Sequence, residues 1–224
     1  MMMGERMVLM ALSSEHKPDR GYAYADARPT CAHRYLVSAL LNEIASVGGA
    51  GGRGLRLFDL GCGSGAVAKA LADRGYDVTG VDPSEDGIRL ANAEYPSLGL
   101  GLGSAYDDLA GKFGTFPVVY SLEVVEHVYY PRKFAKCLFD LVEPGGVAIV
   151  STPYNGYLKN LAIALAGGFD RHATALWDNG HIKFWSIRTL RTLLEEAGFT
   201  QIEFRRVGRF APLAKSMIAV AHRR

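Results

Sequence analysis

The stretch Phe58-Asp59-Leu60-Gly61-Cys62-Gly63-Ser64-Gly65-Ala66 decides the fold. It closes an apolar run, Leu55 to Leu60, that reads as a strand, and it opens a helical segment, Ala66 to Arg74, that stops at Gly75. Between them Gly61, Gly63 and Gly65 occupy alternate positions. Glycines so spaced let the backbone turn tightly and approach a ligand closely, where a Cβ atom would intrude. The same letters also satisfy the dinucleotide pattern G-x-G-x-x-A, so the glycines alone do not name the ligand.

Working outward, Tyr76 to Val81 reads as a second strand, and Ser84 caps a helix that runs to about Glu94 and ends before Pro96. Leu98 to Gly103 is a glycine-diluted third strand, and Phe116 to Leu122 is apolar enough to be buried on both faces. A helix from about Arg132 to Val142, a turn at Pro144-Gly145-Gly146 and a fifth strand at Val147 to Ser151 follow. Ser186 caps a helix whose Ile187, Leu190, Leu193 and Leu194 recur at helical steps as far as Gly198. Strands near Phe199 to Val207 and Ser216 to His222 are close enough to pair antiparallel. Strands alternating with helices predict an α/β fold with a mostly parallel sheet.

Length favours one large unit, with residues 1–54 as an N-terminal helical extension and residues 55–224 as the main domain. The extension holds one helix, Cys31 to Val47, and ends in the flexible glycines Gly48, Gly49, Gly51 and Gly52. Residues 152–183 are an insertion after the fifth strand. Its helix, Tyr157 to Ala166, carries Leu158, Leu161, Ile163 and Leu165 and is expected to bury them, as a cap on a pocket. With 49% hydrophobic and 21% charged residues the chain is globular rather than disordered. A net charge of +2 is too small to call for nucleic acid, although Arg205, Arg206, Arg209, Arg223 and Arg224 make the C-terminus basic. Cys31, Cys62 and Cys137 form no CxxC pair, so neither a disulfide framework nor a cysteine zinc site is expected. No apolar run approaches the roughly 20 residues of a membrane span, and no secretory signal precedes residue 20, so the expected location is cytoplasmic. Peripheral membrane contact through the insertion is not favoured, because Lys159 is the only positive charge nearby.

Two carboxylates narrow the ligand. Asp59, at the end of the first strand, would repel a pyrophosphate on the loop but attract the ammonium and sulfonium of S-adenosylmethionine. Asp82, seventeen residues after Gly65, ends the second strand, where it can accept hydrogen bonds from ribose hydroxyls. The plainer readings are that Asp59 bonds loop amides and that Asp82-Pro83-Ser84 caps a helix.

Asp59 to Gly65, Val81-Asp82-Pro83-Ser84, Ser121 to Val128, Glu143 to Gly146 and the closing strand pair together resemble a class I S-adenosylmethionine-dependent methyltransferase. Within that family Ser121-Leu122-Glu123-Val124-Val125-Glu126-His127-Val128 is similar to the ubiquinone-biosynthesis O-methyltransferases, which methylate catechol hydroxyls. Ser151-Thr152 and Gly180-His181-Ile182-Lys183-Phe184 add to the likeness. The resemblance covers roughly residues 55–224. It implies a seven-stranded Rossmann-like sheet of order 3-2-1-4-5-7-6, helices on both faces and an antiparallel last strand. It also implies cofactor contacts at Gly61, Gly63, Gly65, Asp82, Ala105 and Leu122. Asp59, Cys62, Pro83 and Ser121 are further candidates beside them. Where relatives carry an acidic residue after the third strand, this chain has Gly103-Ser104-Ala105-Tyr106, so Ser104 is the candidate for the adenine amino group and Tyr106 for packing on the ring.

Methyl transfer is an in-line displacement in which alignment supplies on the order of 7–11 kcal/mol, and deprotonation of the acceptor remains. Glu123, Glu126 and His127 share a face if the turn after the fourth strand is helical, and could then hold a divalent cation that acidifies a bound hydroxyl. The similar family implies the same, because its Glu-x-x-Glu-His run is implicated in metal binding. Without a metal, Glu126 anchors a loop and His127 acts as a general base. His181 is a second catalytic candidate. Tyr22, Tyr24, Tyr154, Trp177 and Trp185 are candidates for an aromatic wall around a flat acceptor, and ordinary core positions otherwise. The expected activity is methylation of a small-molecule hydroxyl on a phenolic or quinone-type metabolite, giving S-adenosylhomocysteine. The alternatives are an NAD(P)-dependent oxidoreductase on the same loop and a non-catalytic cofactor-binding module.

Overall fold

A computed structural model describes Tyr24, Ala27 and residues 31–48, 54–173 and 180–224. The glycines Gly49, Gly51 and Gly52, together with Tyr22 and Trp177, lie outside the described residues. Seven strands form one sheet: β1 (Arg56–Leu60), β2 (Asp77–Asp82), β3 (Gly99–Leu102), β4 (Phe116–Leu122), β5 (Val142–Pro153), β6 (Thr200–Val207) and β7 (Ser216–His222). Their order is β3-β2-β1-β4-β5-β7-β6, as expected. The first five are mutually parallel, and β7 runs antiparallel to both β5 and β6.

Successive side chains of a strand point to opposite faces, so a doubly covered sheet has two cores. Leu57 of β1 faces α1 (Cys31–Gly48), α2 (Ala66–Ala72) and α3 (Glu85–Glu94), in a core with Leu36, Leu40, Ile44, Leu71, Ile88, Tyr120 and Ile149. Phe58 points the other way, toward α4 (Leu109–Phe113), α5 (Pro131–Leu141) and α8 (Ile187–Ala197), and packs with Val119, Phe134, Leu138, Leu190 and Leu194. Helix α1 therefore fills the sheet from one side, and its Leu36, Leu40 and Ile44 are among the most deeply buried side chains.

The helix boundaries follow local chemistry. The Ser84 hydroxyl accepts from the Gly87 amide to start α3, and Ser186 with Thr189 forms a capping box at α8. Helix α8 ends at Gly198, whose φ of 107° a residue with a Cβ would resist. Helix α4 was not anticipated; Asp108 caps it by accepting from the Gly111 amide. Strand β5 is longer than the sequence suggests because the glycines after Pro144 do not break the pairing: the Gly145 amide donates to the Arg223 carbonyl and the Arg223 amide to Gly146. The Arg223 side chain also donates to the carbonyls of Phe139, Asp140 and Val142, acceptors at and just past the end of α5.

Helix α6 (Tyr157–Leu165) forms where expected, but it does not bury its apolar face. None of its residues is buried, and Tyr157 and Leu165 are 79% and 80% exposed. A five-residue helix, α7 (Phe169–Ala173), follows it. Among the described residues no helix is long and apolar enough to cross a membrane.

If α1 belongs to the cooperative core, Leu40→Ala should destabilise the protein by about 2–5 kcal/mol, the usual range for a buried leucine. Urea denaturation checks this. A loss under about 1 kcal/mol would mean that α1 packs loosely on a sheet that folds without it.

Candidate active site

The glycine loop folds back over the end of β2. The amides of Gly61 and Cys62 both donate to the Val81 carbonyl, at 2.8 and 3.0 Å. The Gly63 amide donates to Asp82 Oδ2 and the Ser84 amide to Asp82 Oδ1, each at 2.8 Å. One buried carboxylate thus joins the loop to the start of α3. Both oxygens keep a second lone pair for a ligand hydroxyl. The amide bonds pull the Asp82 carboxyl down, but burial outweighs them and leaves it above the ordinary range.

All three loop glycines take left-handed backbone angles. Each also lies against a neighbouring side chain rather than open space. A methyl on Gly61 would meet Val124 at 2.5 Å, one on Gly63 the Tyr24 hydroxyl at 2.5 Å, and one on Gly65 Leu100 at 2.8 Å. Close packing within the chain is enough to require these glycines, so ligand approach is not their sole reason.

Asp59 is 2% exposed, and its Oδ2 has no hydrogen-bond partner among the described residues. Burial, with the charge of Asp82 adding to it, pushes its carboxyl up to about 8. Near pH 7 the group is therefore mostly protonated, and the attraction to a cation argued from sequence exists only once it ionises. Burial and the two aspartates likewise push the Cys62 thiol up, which leaves it unreactive.

The remaining candidates around the cofactor loop have partners within the chain. The Ser121 hydroxyl is fully buried and donates to the Leu60 carbonyl, bracing β4 against β1. The Ser104 hydroxyl accepts from the Tyr106 amide. The Tyr106 hydroxyl accepts from the amides of Tyr129 and Tyr130, fastening the loop after β4, while its ring is 43% exposed. Ala105 and Leu122 are half-buried and Pro83 is exposed.

The loop after β4 is a series of turns rather than a helix, so the condition for putting Glu123, Glu126 and His127 on one helical face is not met. Glu123 takes φ 55°, uncommon for a residue with a Cβ, and turns toward β5, where the Ser151 hydroxyl donates to Oε1 at 2.7 Å. Glu126 and His127 instead meet His181. One ligand atom from each of these three lies within 4.8 Å of the others. His181 arrives because the end of the insertion docks on the loop: the amides of Ile182 and Lys183 both donate to the Glu126 carbonyl, and the Trp185 indole donates to that of Val125. Trp185 is therefore a buried fastener, not part of an acceptor wall. Tyr154 is half-buried against the core. Tyr24 lies on the glycine loop, and His172 is half-buried on α7.

His127 and His181 meet edge to face, with ring centroids 4.9 Å apart. His127 Nδ1 lies 3.1 Å from the Gly180 carbonyl, which can only accept, so Nδ1 donates its hydrogen there. Burial, then the neighbouring His127 and His172, lowers His181 to about 4, so it is neutral at physiological pH. Glu126 is 1% exposed, and neither carboxylate oxygen has a hydrogen-bond partner among the described residues. Its Oε1 lies 4.0 Å from His181 Nε2. Burial, reinforced by the charge of Glu123, holds this carboxyl well above the ordinary range. A deeply buried acid next to two imidazoles is an arrangement that can bind a polar ligand or a cation.

Comparison with known proteins places this geometry. Residues 26–203 match the family model of a methyltransferase domain. The ubiquinone biosynthesis O-methyltransferase of Caulobacter sp. (strain K31) is 43% identical over 118 residues, which cover 51% of this chain and 46% of that protein. The enzyme of the same name from Psychrobacter arcticus is 33% identical over 174 residues, covering 74% and 65%. The chain spans about half the length of several of the curated relatives it matches. Among solved structures, magnesium protoporphyrin IX methyltransferase from Synechocystis PCC 6803 with bound S-adenosylhomocysteine superposes with a TM-score of 0.61 at 22% identity, covering 84% of this chain and 82% of that one. Phosphoethanolamine N-methyltransferase 2 of Haemonchus contortus, in complex with S-adenosylmethionine, gives 0.59 at 14% identity, covering 83% and 52%. These structural likenesses carry the fold. With the sheet order, the glycine loop and the family match in agreement, the chain belongs to the methyltransferase-domain family, among the class I S-adenosylmethionine-dependent methyltransferases.

Proposed function

We propose that the protein transfers the methyl group of S-adenosylmethionine to a hydroxyl of a small phenolic or quinone-type acceptor. The observation that carries the acceptor side is the convergence of Glu126, His127 and His181 just beyond the carboxyl end of β4, the strand beside β1 and its glycine loop. Ligands of open α/β sheets bind at that end of the strands. The names of the curated relatives support a hydroxyl as the acceptor.

The residues around the loop fit the cofactor. Asp82 has lone pairs left for the ribose hydroxyls, and Asp59, whose Oδ2 has no hydrogen-bond partner among the described residues, is available to a cationic neighbour. Gly61, Gly63, Gly65 and Leu122 would complete the cradle. Ala105, with the backbone of Cys62, Pro83, Ser104 and Ser121 and the exposed ring of Tyr106, would border it. When bound, S-adenosylmethionine supplies an electrophilic methyl group on a sulfonium. The protein's part is to align the acceptor, exclude water and take its proton. Nε2 of His127 is the basic nitrogen for that proton, because the Gly180 carbonyl holds the hydrogen on Nδ1. Once ionised, Glu126, beside the pair, would offer a counter-charge to a histidine that becomes protonated.

That neither Glu126 carboxylate oxygen has a hydrogen-bond partner among the described residues favours a second reading, in which Glu126, His127 and His181 hold a divalent cation that acidifies a coordinated hydroxyl. One carboxylate and two imidazoles suit such an ion. Glu123, engaged by Ser151, would stand behind them rather than ligate.

Four outcomes follow. Calorimetry should show binding of S-adenosylmethionine and S-adenosylhomocysteine and none of NAD(H). Because Asp59 ionises only as pH rises through about 8, preference for the charged sulfonium over the neutral product should grow between pH 6.5 and 8.5 and stay flat in Asp59→Asn. Tight NAD(H) binding with no response to the sulfonium donor would overturn the reading. With a substituted catechol as acceptor, His127→Ala should lower turnover by about 10²–10⁴-fold with cofactor affinity unchanged; normal turnover removes the histidine from the mechanism. Chelation followed by Mg, Mn or Zn add-back should change the rate in wild type but not in Glu126→Gln if the cation reading holds, and an unaffected wild type would end it.

A further inference from the structure

Tyr24 belongs to none of the catalytic groups, and its sequence context suggests only an aromatic wall for the acceptor. The structure puts it elsewhere. Its hydroxyl and ring edge lie where a methyl on Gly63 would stand, at 2.5, 2.8 and 3.0 Å, and the same ring lies 3.0 Å from the place a methyl on Gly87 would take. Gly63 is the middle glycine of the loop, and Gly87 is in the first turn of α3. The ring is wedged between the two elements that Asp82 ties together through the amides of Gly63 and Ser84. A second contact holds this part of the chain in place: the Tyr95 hydroxyl, at the other end of α3, donates to the carbonyl of the buried Ala27 at 3.0 Å. Tyr95 also faces the site of a methyl on Gly65, at 3.3 Å. Tyr24 and Ala27 thus meet α3 at both ends, beside the second and third glycines of the loop.

We propose that Tyr24 is a cofactor-positioning residue: its phenol ring wedges the glycine loop against the start of α3 and so keeps the Gly63 amide on Asp82. The physical reason is the absence of a side chain at residue 63. A left-handed glycine between two flexible turns has no side chain of its own to fix it, so a packed ring must restrict it from outside. When the ring is removed, the loop can leave the geometry in which the Asp82 lone pairs point at a ligand, and the cost falls on cofactor binding rather than on the acceptor. This makes Tyr24, which precedes α1, part of the cofactor site. It also gives Gly63 and Gly87 a shared reason for lacking side chains.

The inference rests on the reading of the loop as the S-adenosylmethionine site, and calorimetry on the full chain separates the two. If wild type binds neither S-adenosylmethionine nor S-adenosylhomocysteine, that reading fails first. If wild type binds, Tyr24→Ala should weaken both by about tenfold or more, as loss of a group that orients binding residues does, and Tyr24→Phe should restore most of the affinity. The KM for the cofactor should rise in Tyr24→Ala while the KM for a catechol acceptor stays near the wild-type value. A thermal melt gives the second measure. Gly63→Ala should lower the Tm more in wild type than in Tyr24→Ala, where the methyl has room. Unchanged or tighter cofactor binding in a folded Tyr24→Ala, or Tm losses that simply add in the double variant, would overturn the proposal.

Discussion

The Asp82 carboxylate, with one oxygen on the Gly63 amide and the other on the Ser84 amide, is the interaction on which the rest of the site depends. It stands at the end of β2 and is almost fully buried, so it must be satisfied by the chain around it. Satisfying it sets the path of the glycine loop and the first turn of α3 together. The Val81 carbonyl, accepting from Gly61 and Cys62, finishes the closure one residue earlier. Everything proposed to recognise the cofactor stands on this joint. Its geometry owes as much to the packing of Val124, Tyr24 and Leu100 against the glycines as to the needs of a ligand.

A second joint makes the acceptor side. Residues Gly180 to Trp185 dock on Val125 to His127 almost entirely through main-chain carbonyls: Glu126 receives two amides, Val125 the Trp185 indole, and Gly180 meets the His127 ring. These bonds bring the carboxyl of Glu126 and the two imidazoles together in one place. The helices earlier in the insertion show the opposite balance. Helix α6 buries none of its residues, and Tyr157, Leu158 and Leu165 are largely exposed.

The strands and most helix ends were legible in the sequence, while the strand order came from the family resemblance. Short-range chemistry governs them: Ser84 and Ser186 accept from amides three residues on, Gly198 adopts a left-handed angle, and apolar residues alternate or recur at helical steps. The bounds of β4, Phe116–Leu122, could be read directly because a strand covered on both faces is apolar throughout. The length of β5 could not, because the glycines after Pro144 look like a turn until Arg223, nearly eighty positions later, supplies their partners. The same distance in sequence hid the role of Trp185 and the burial of α1.

The sequence by itself determined that a glycine loop between a strand and a helix would be followed by an aspartate at the end of the next strand, and that these would sit in a seven-stranded α/β sheet. Periodicity and backbone chemistry are local, so they can be read from neighbouring letters. Only the tertiary structure decided that Glu123 turns away to Ser151 while His181 takes its place beside Glu126 and His127. It also decided that burial leaves Asp59 mostly uncharged near neutral pH. Those outcomes depend on which groups far apart in the chain exclude water from one another, and the order of residues alone does not carry that information.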